Sequence, residues 1–115
     1  MTPPPDELAV AALRAACIAY APYTGALAGV AIQIHSGQAF NGAYVENAAF
    51  NPSISPMQTA IVALALTGRS AGEVTEAAIV QMQESKIDHA AAARLVLAHF
   101  APDVILQQYR VRLGQ

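Results

Sequence analysis

Three histidines, one cysteine and one isolated loop carboxylate are the residues whose types could support chemistry. A zinc centre needs three or four Cys, His or carboxylate ligands converging on one point. His35 falls in a turn between two predicted strands. His89 and His99 share one predicted helix, about 80° apart in direction and about 15 Å apart along it. They cannot hold one ion together, and each of the three reads as a solvated or hydrogen-bonded histidine. Cys17 lies on the apolar stripe of a predicted first helix and reads as a buried small hydrophobe. A reactive thiolate would need a basic neighbour, and Arg14 is the only local candidate. Neither a Gly-x-Ser-x-Gly nucleophile turn nor a phosphate-cradling glycine pattern is present. Glu46 stands in a loop between a predicted strand and a capped helix, where functional residues gather. It has no second acid near it in sequence. Its structural alternative is to bond loop amides while Asn47 shapes the turn. Tyr20 and Tyr23 flank a proline turn and are expected to pack.

The elements that must position these residues can be read from periodicity and punctuation. Pro3, Pro4 and Pro5 look like the end of a linker, residues 1–5, that feeds a single domain over residues 6–115. Val10, Leu13, Cys17 and Tyr20 recur at helical spacing, which predicts an amphipathic helix over 6–20, stopped by Pro22. Residues 27–34 and 39–45 read as two strands joined through His35, Ser36, Gly37 and Gln38. Ser55-Pro56-Met57-Gln58 has the form of a capping box with proline at the first helical position. The helix it opens runs to about Thr67 and ends at Gly68. Residues 76–83 suit a buried strand, Asp88 can cap a helix that reaches Phe100, and residues 104–113 make a last strand. The order αββαβαβ implies an α/β fold, a sheet with parallel neighbours covered by helices.

Composition narrows the function classes. The chain has 115 residues, of which 55% are hydrophobic and 12% charged, with a net charge of −2. It is too apolar for disorder, and apolar enough that a partner is expected to cover part of its surface. The charge offers no footprint for nucleic acid, and Arg110 and Arg112 are the only close basic pair. A single cysteine excludes an internal disulfide framework. The longest apolar runs, such as residues 60–67, are far short of the roughly 20 residues that span a membrane. No basic segment followed by an apolar one marks a signal peptide. A soluble, cytoplasmic protein is expected, with no nucleic-acid or membrane partner.

The segment 20–32, YAPYTGALAGVAI, resembles the start of a cytidine deaminase. That family runs a helix, then Tyr-x-Pro-Tyr-Ser, then a strand with Val-Gly-Ala-Ala. The likeness continues through Gly37-Gln38-Ala39-Phe40-Asn41-Gly42 into Glu46-Asn47-Ala48-Ala49-Phe50. The family pattern there is Asn-x-Glu-Asn-Ala-Ala-Tyr. With the element order, the resemblance extends over nearly the whole chain. It implies a three-layer cytidine-deaminase-like sandwich, a mixed sheet covered by helices.

The departures carry as much meaning as the matches. In the family, Cys-Ala-Glu follows the loop motif at the start of a helix; the Cys binds zinc and the Glu shuttles protons. Those positions read Ser55, Pro56 and Met57 here. A Pro-Cys-x-x-Cys pattern should open the next helix, and its two cysteines fall on Ala90 and Ala93. The arginine that often follows the catalytic Glu is Gln58. The family's ribose-binding Asn corresponds to Tyr44, its Glu to Glu46, and the aromatic that packs on the pyrimidine to Ala26. The resemblance therefore implies no catalytic residue and no zinc in this chain.

Some bacterial cytidine deaminases are duplicated, with a zinc-bearing N-terminal domain and a degenerate C-terminal copy. Residues 44–52, YVENAAFNP, resemble that copy. The resemblance implies a non-catalytic domain that forms a dimer interface with a catalytic deaminase domain, or with a second copy. The parent reaction would be zinc-dependent hydrolytic deamination of cytidine or deoxycytidine. Glu46, Asn47, Ala48, Ala49 and Phe50 would then complete a partner's site, with Ala48 (through its backbone) and Phe50 meeting the nucleoside across the interface. A stand-alone pseudoenzyme serving as an interaction module is the alternative, and a nucleoside-binding regulator a third reading.

Overall fold

The structure, a computed structural model, describes residues 7–112. The linker expected at residues 1–5, the helix start at Asp6 and the strand end at Leu113 lie outside the described residues. The elements are α1 (Glu7–Cys17), β1 (Ala28–Ile34), β2 (Ala39–Ala43), α2 (Pro56–Ala65), a 3-10 turn (Ala71–Glu73), β3 (Val74–Met82), α3 (His89–Phe100) and β4 (Leu106–Val111). The four strands form one sheet in the order β2-β1-β3-β4. β1 pairs antiparallel with both β2 and β3, while β3 and β4 run parallel. The only parallel neighbours in this sheet are therefore the two strands joined through α3.

Alternation along β1 and β3 divides the core between the two faces of the sheet. Val30, Ile32, Ile34, Ala77 and Ile79 face α2 and α3, where Met57, Leu64 and Leu97 complete the larger cluster. Ala31, Ala78 and Val80 face α1, with Ala12, Ala16 and Val111. The result is the expected three-layer α/β arrangement with a mixed sheet.

The first helix differs from expectation in a telling way. Its buried face is Ala9, Ala12, Ala15 and Ala16, while Val10 and Leu13 are only half-buried. Cys17 is exposed rather than buried. Tyr20 lies beyond the helix in an isolated bridge to Val45. The reason is how closely the helix lies on the sheet. A Cβ placed on Gly29 would stand 2.2 Å from the Ala16 amide nitrogen and 2.3 Å from the Ala12 carbonyl oxygen. The two backbones touch, so only methyl-sized side chains fit along the contact. The same device recurs on the other face, where a Cβ on Gly42 would meet the Pro56 carbonyl at 2.2 Å and the Ala60 nitrogen at 2.3 Å.

The helix starts follow the sequence signals. Ser55 and Gln58 form the capping box, with Pro56 at the first helical position. Asp88 caps α3 by accepting from the Ala91 amide at 3.0 Å. Among the described residues, no helix is long and apolar enough to cross a membrane.

Gly29→Ala is the sharpest test of the close helix–sheet contact. Its methyl meets backbone rather than a movable side chain, so a loss of about 3 kcal/mol or more in urea unfolding is expected. A loss under about 1 kcal/mol would show that α1 can lift off the sheet.

Candidate functional site

Two groups of residues singled out in the sequence meet at the N-terminal ends of α2 and α3. The first is the set Ser55, Met57, Ala90 and Ala93. Met57, Ala90 and Ala93 are at most 1% exposed and belong to one apolar cluster. Ser55 lies at the rim, where its hydroxyl accepts from the Gln58 amide at 3.4 Å and lies 2.8 Å from the Gln58 side-chain oxygen. The donor chemistry does not fit a zinc ion: two methyl groups, a thioether and a hydroxyl already used as a helix cap. Among the described residues, no three His, Cys, Asp or Glu side chains lie close enough to hold a metal.

The second group is the loop motif. Glu46 is buried, and its carboxylate accepts from the Tyr23 amide (2.8 Å), the Thr24 amide (3.1 Å), the Thr24 hydroxyl (2.6 Å) and the Tyr44 hydroxyl (3.2 Å). Burial by itself would raise its pKa. The hydrogen bonds from Thr24, Tyr23 and Tyr44 outweigh that and hold the carboxyl below its ordinary value. The carboxylate thus staples the loop root to the turn after α1. The backbone adds to this: Tyr20 N donates to Tyr44 O (2.9 Å), Glu46 N to Tyr20 O (2.8 Å), and Val45 pairs with Ile54 on its other side.

Beyond this root, Asn47, Ala48, Ala49 and Phe50 are all exposed. Asn47 shapes the turn as its residue type suggests, its side-chain oxygen accepting from the Ala49 amide at 2.9 Å. Its own amide donates to the Ser53 hydroxyl at 2.8 Å. Phe50 has a φ of 64°, a left-handed conformation that costs an L-residue roughly 1–2 kcal/mol. Its side chain is 54% exposed, so the strain is not offset by burial. A strained, presented aromatic is a feature of binding loops.

Sequence reasoning did not single out His89 and Tyr44 as partners. The His89 ring is buried, its Nε2 lies 2.8 Å from the Ala26 carbonyl oxygen, and it packs on Tyr44 with ring centroids 4.4 Å apart. The one sequence signal was position: His89 directly follows the cap Asp88. The other two histidines lie elsewhere: His35 is 3.9 Å from Glu73, and His99 meets Phe100 edge-on. Tyr20 and Tyr23 do not pack as expected; they are 56% and 62% exposed, and their contribution comes through the backbone. A cleft of about 430 Å³ lined by Gly25, Met82, Gln83, Glu84 and Arg112 shares no residue with either group.

With this geometry in hand, comparison with known proteins is informative. The family described as the cytidine and deoxycytidylate deaminase zinc-binding region matches residues 2–94. The cytidine deaminase of Vibrio parahaemolyticus is 40% identical over 99 residues, 86% of this chain and 34% of that protein. That of Vibrio atlanticus is 43% identical over 97 residues, 84% of this chain and 33% of that protein. The chain thus spans about a third of the length of the curated relatives it matches. Among solved structures, cytidine deaminase from Burkholderia pseudomallei superimposes with a TM-score of 0.77 at 29% identity, over 91% of this chain and 85% of that one. Cytidine deaminase from Mycobacterium tuberculosis, at 23% identity and a TM-score of 0.71 over 92% of this chain and 94% of that one, shares the fold.

The two buried titratable groups make stability depend on pH with a definite sign. Burial lowers the His89 pKa, although the Ala26 carbonyl, Asp88 and Glu46 pull the other way. The unfolded chain therefore takes up that proton first, and stability falls as pH drops through about 6.5 toward the lower folded value. Glu46, also lowered, contributes stability above its ordinary pKa, which is lost in a second stage as pH falls below about 4.3. Urea midpoints measured from pH 8 to pH 3 (roughly the range of both groups) should show both stages. His89→Gln should remove the upper stage only; its persistence would mean another group controls it.

Proposed function

Because this chain belongs to the cytidine and deoxycytidylate deaminase family, we propose that it is a non-catalytic domain of a cytidine deaminase. In this reading it builds an interface with a catalytic deaminase domain or a second copy. The 46–50 loop completes the partner's nucleoside site. The parent reaction is hydrolytic deamination of cytidine or deoxycytidine, with zinc in the catalytic domain and none here.

The observation that carries the proposal is the chemistry of four positions. Where the resemblance implies zinc ligands and a proton shuttle, the chain has Ser55, Ala90, Ala93 and Met57. Three are packed into the apolar core, and the fourth caps a helix. A thioether cannot move a proton, and a methyl group cannot hold an ion. Two further features support the reading. The chain corresponds to about a third of longer cytidine deaminases, as one domain of a larger enzyme would. Its loop presents Phe50 outward at a strained φ, which favours contact with a partner.

The direct experiment measures zinc content and cytidine turnover of this chain alone. Neither stoichiometric zinc nor turnover is expected; either one overturns the proposal. The interface role is tested with Phe50→Gly. Glycine relieves the left-handed strain, so the stability of the chain should stay within about 1 kcal/mol of the parent. In the longer protein to which the domain is assigned, the same change should lower kcat/KM by about tenfold or more, or weaken assembly. Unchanged kinetics and unchanged assembly would remove the site-closing role.

A further inference from the structure

We infer that Tyr44 and His89 form a latch that fixes the 46–53 loop, and with it Phe50, from the first residue of α3. Neither residue reaches outward: both are buried, with Tyr44 at the end of β2 and His89 opening α3. They act through other groups and are positioning residues.

The latch is a closed circuit. His89 Nε2 bonds the Ala26 carbonyl oxygen at 2.8 Å. A carbonyl only accepts, so Nε2 carries the proton in the neutral ring. The Ala26 amide donates to the Thr24 hydroxyl oxygen at 3.1 Å, and that hydroxyl donates to Glu46 at 2.6 Å. Tyr44 donates its own hydroxyl to the same Glu46 oxygen at 3.2 Å. The circuit closes where the Tyr44 ring packs on the His89 imidazole at 4.4 Å. The His89 backbone is fixed as well, its amide donating at 3.1 Å to the side chain of buried Gln81 in β3.

The Tyr44 hydroxyl sits at the root of the loop, where it bonds Glu46. The limbs of the loop are joined above it through Ser53. Ser53 in turn accepts from the Asn47 amide and donates its own amide to the Phe50 carbonyl at 2.7 Å. The Tyr44 hydroxyl therefore fixes the root from which these bonds are built, and the imidazole packed on its ring sets where that hydroxyl stands. A hydrocarbon ring at position 89 could fill the same volume. It would leave the buried Ala26 carbonyl without a donor, which such sites do not tolerate freely. The polar ring is required by the circuit and not by packing alone.

The latch can be tested on this chain without a partner, by NMR amide exchange. Tyr44→Phe keeps the ring and removes the hydroxyl. It should accelerate exchange at Asn47, Ala49, Phe50 and Ser53 by about tenfold or more, with β1 and β3 amides unchanged. His89→Phe should do the same and also free the Ala26 amide, whereas His89→Gln, which keeps a donor for Ala26, should restore slow exchange. Loop amides at the parent rate in Tyr44→Phe would overturn the latch. So would equal acceleration of loop and core, which would reduce the pair to general stability. If His89→Gln exchanges as fast as His89→Phe, the bond to the Ala26 carbonyl is not what fixes the loop, and the part assigned to His89 is overturned. The use of the loop rests on the proposed function, but its fixing does not. A loosened loop in Tyr44→Phe with unchanged kinetics in the longer protein supports the latch and counts against the site-closing role.

Discussion

At Gly29 the backbone of β1 touches that of α1, and at Gly42 the backbone of β2 touches that of α2. These two contacts, one on each face of the sheet, fix the distances from which everything else is built. Helix and sheet normally stand apart by the depth of their side chains; here they approach until the amides and carbonyls themselves limit the contact. The Gly42 contact reaches the first turn of α2 through Pro56. It therefore fixes where α2 begins relative to the end of β2. The loop that joins them has both ends set, and its conformation is left to local bonds.

Those local bonds are of two kinds. At the root they are buried and charge-assisted: one carboxylate, Glu46, collects four donors from the neighbouring turn and Tyr44. Such bonds are roughly twice as strong as neutral ones. At the tip they are exposed and neutral, confined to Asn47, Ala49, Phe50, Asn51 and Ser53. The loop is thus held firmly where it leaves the fold and lightly where it meets solvent. Phe50 therefore stands on a base whose position is set by buried bonds.

Much of this could be read in the sequence, and the part that could not has a physical cause. Element order and both helix starts were legible because their signals are local: Ser55, Pro56 and Gln58 for one, Asp88 for the other. The departures at Ser55, Met57, Ala90 and Ala93 were legible because the chemistry of a side chain does not depend on its neighbours. The alanine face of α1 was not legible. Periodicity weighs large apolar residues most, so it chose Val10, Leu13 and Cys17 over Ala9, Ala12 and Ala16. Only the proximity of Gly29, distant in sequence, explains the inversion. The sequence leaves Glu46 open between a functional loop residue and a loop anchor, because the amides it bonds lie more than twenty residues away. The pairing of Tyr44 with His89 links residues even further apart, and no local pattern announces it.

The N-terminal ends of α2 and α3 each present amides with no partner in their own helices. In this chain Ser55 and Asp88 cap those ends, and Met57, Ala90 and Ala93 fill the space between them. Each cap contributes on the order of 1 kcal/mol, and the methyl and thioether groups contribute by exclusion of water. A joint assembled from these parts is held by helix caps and by excluded water, so it loosens with heat and with denaturant.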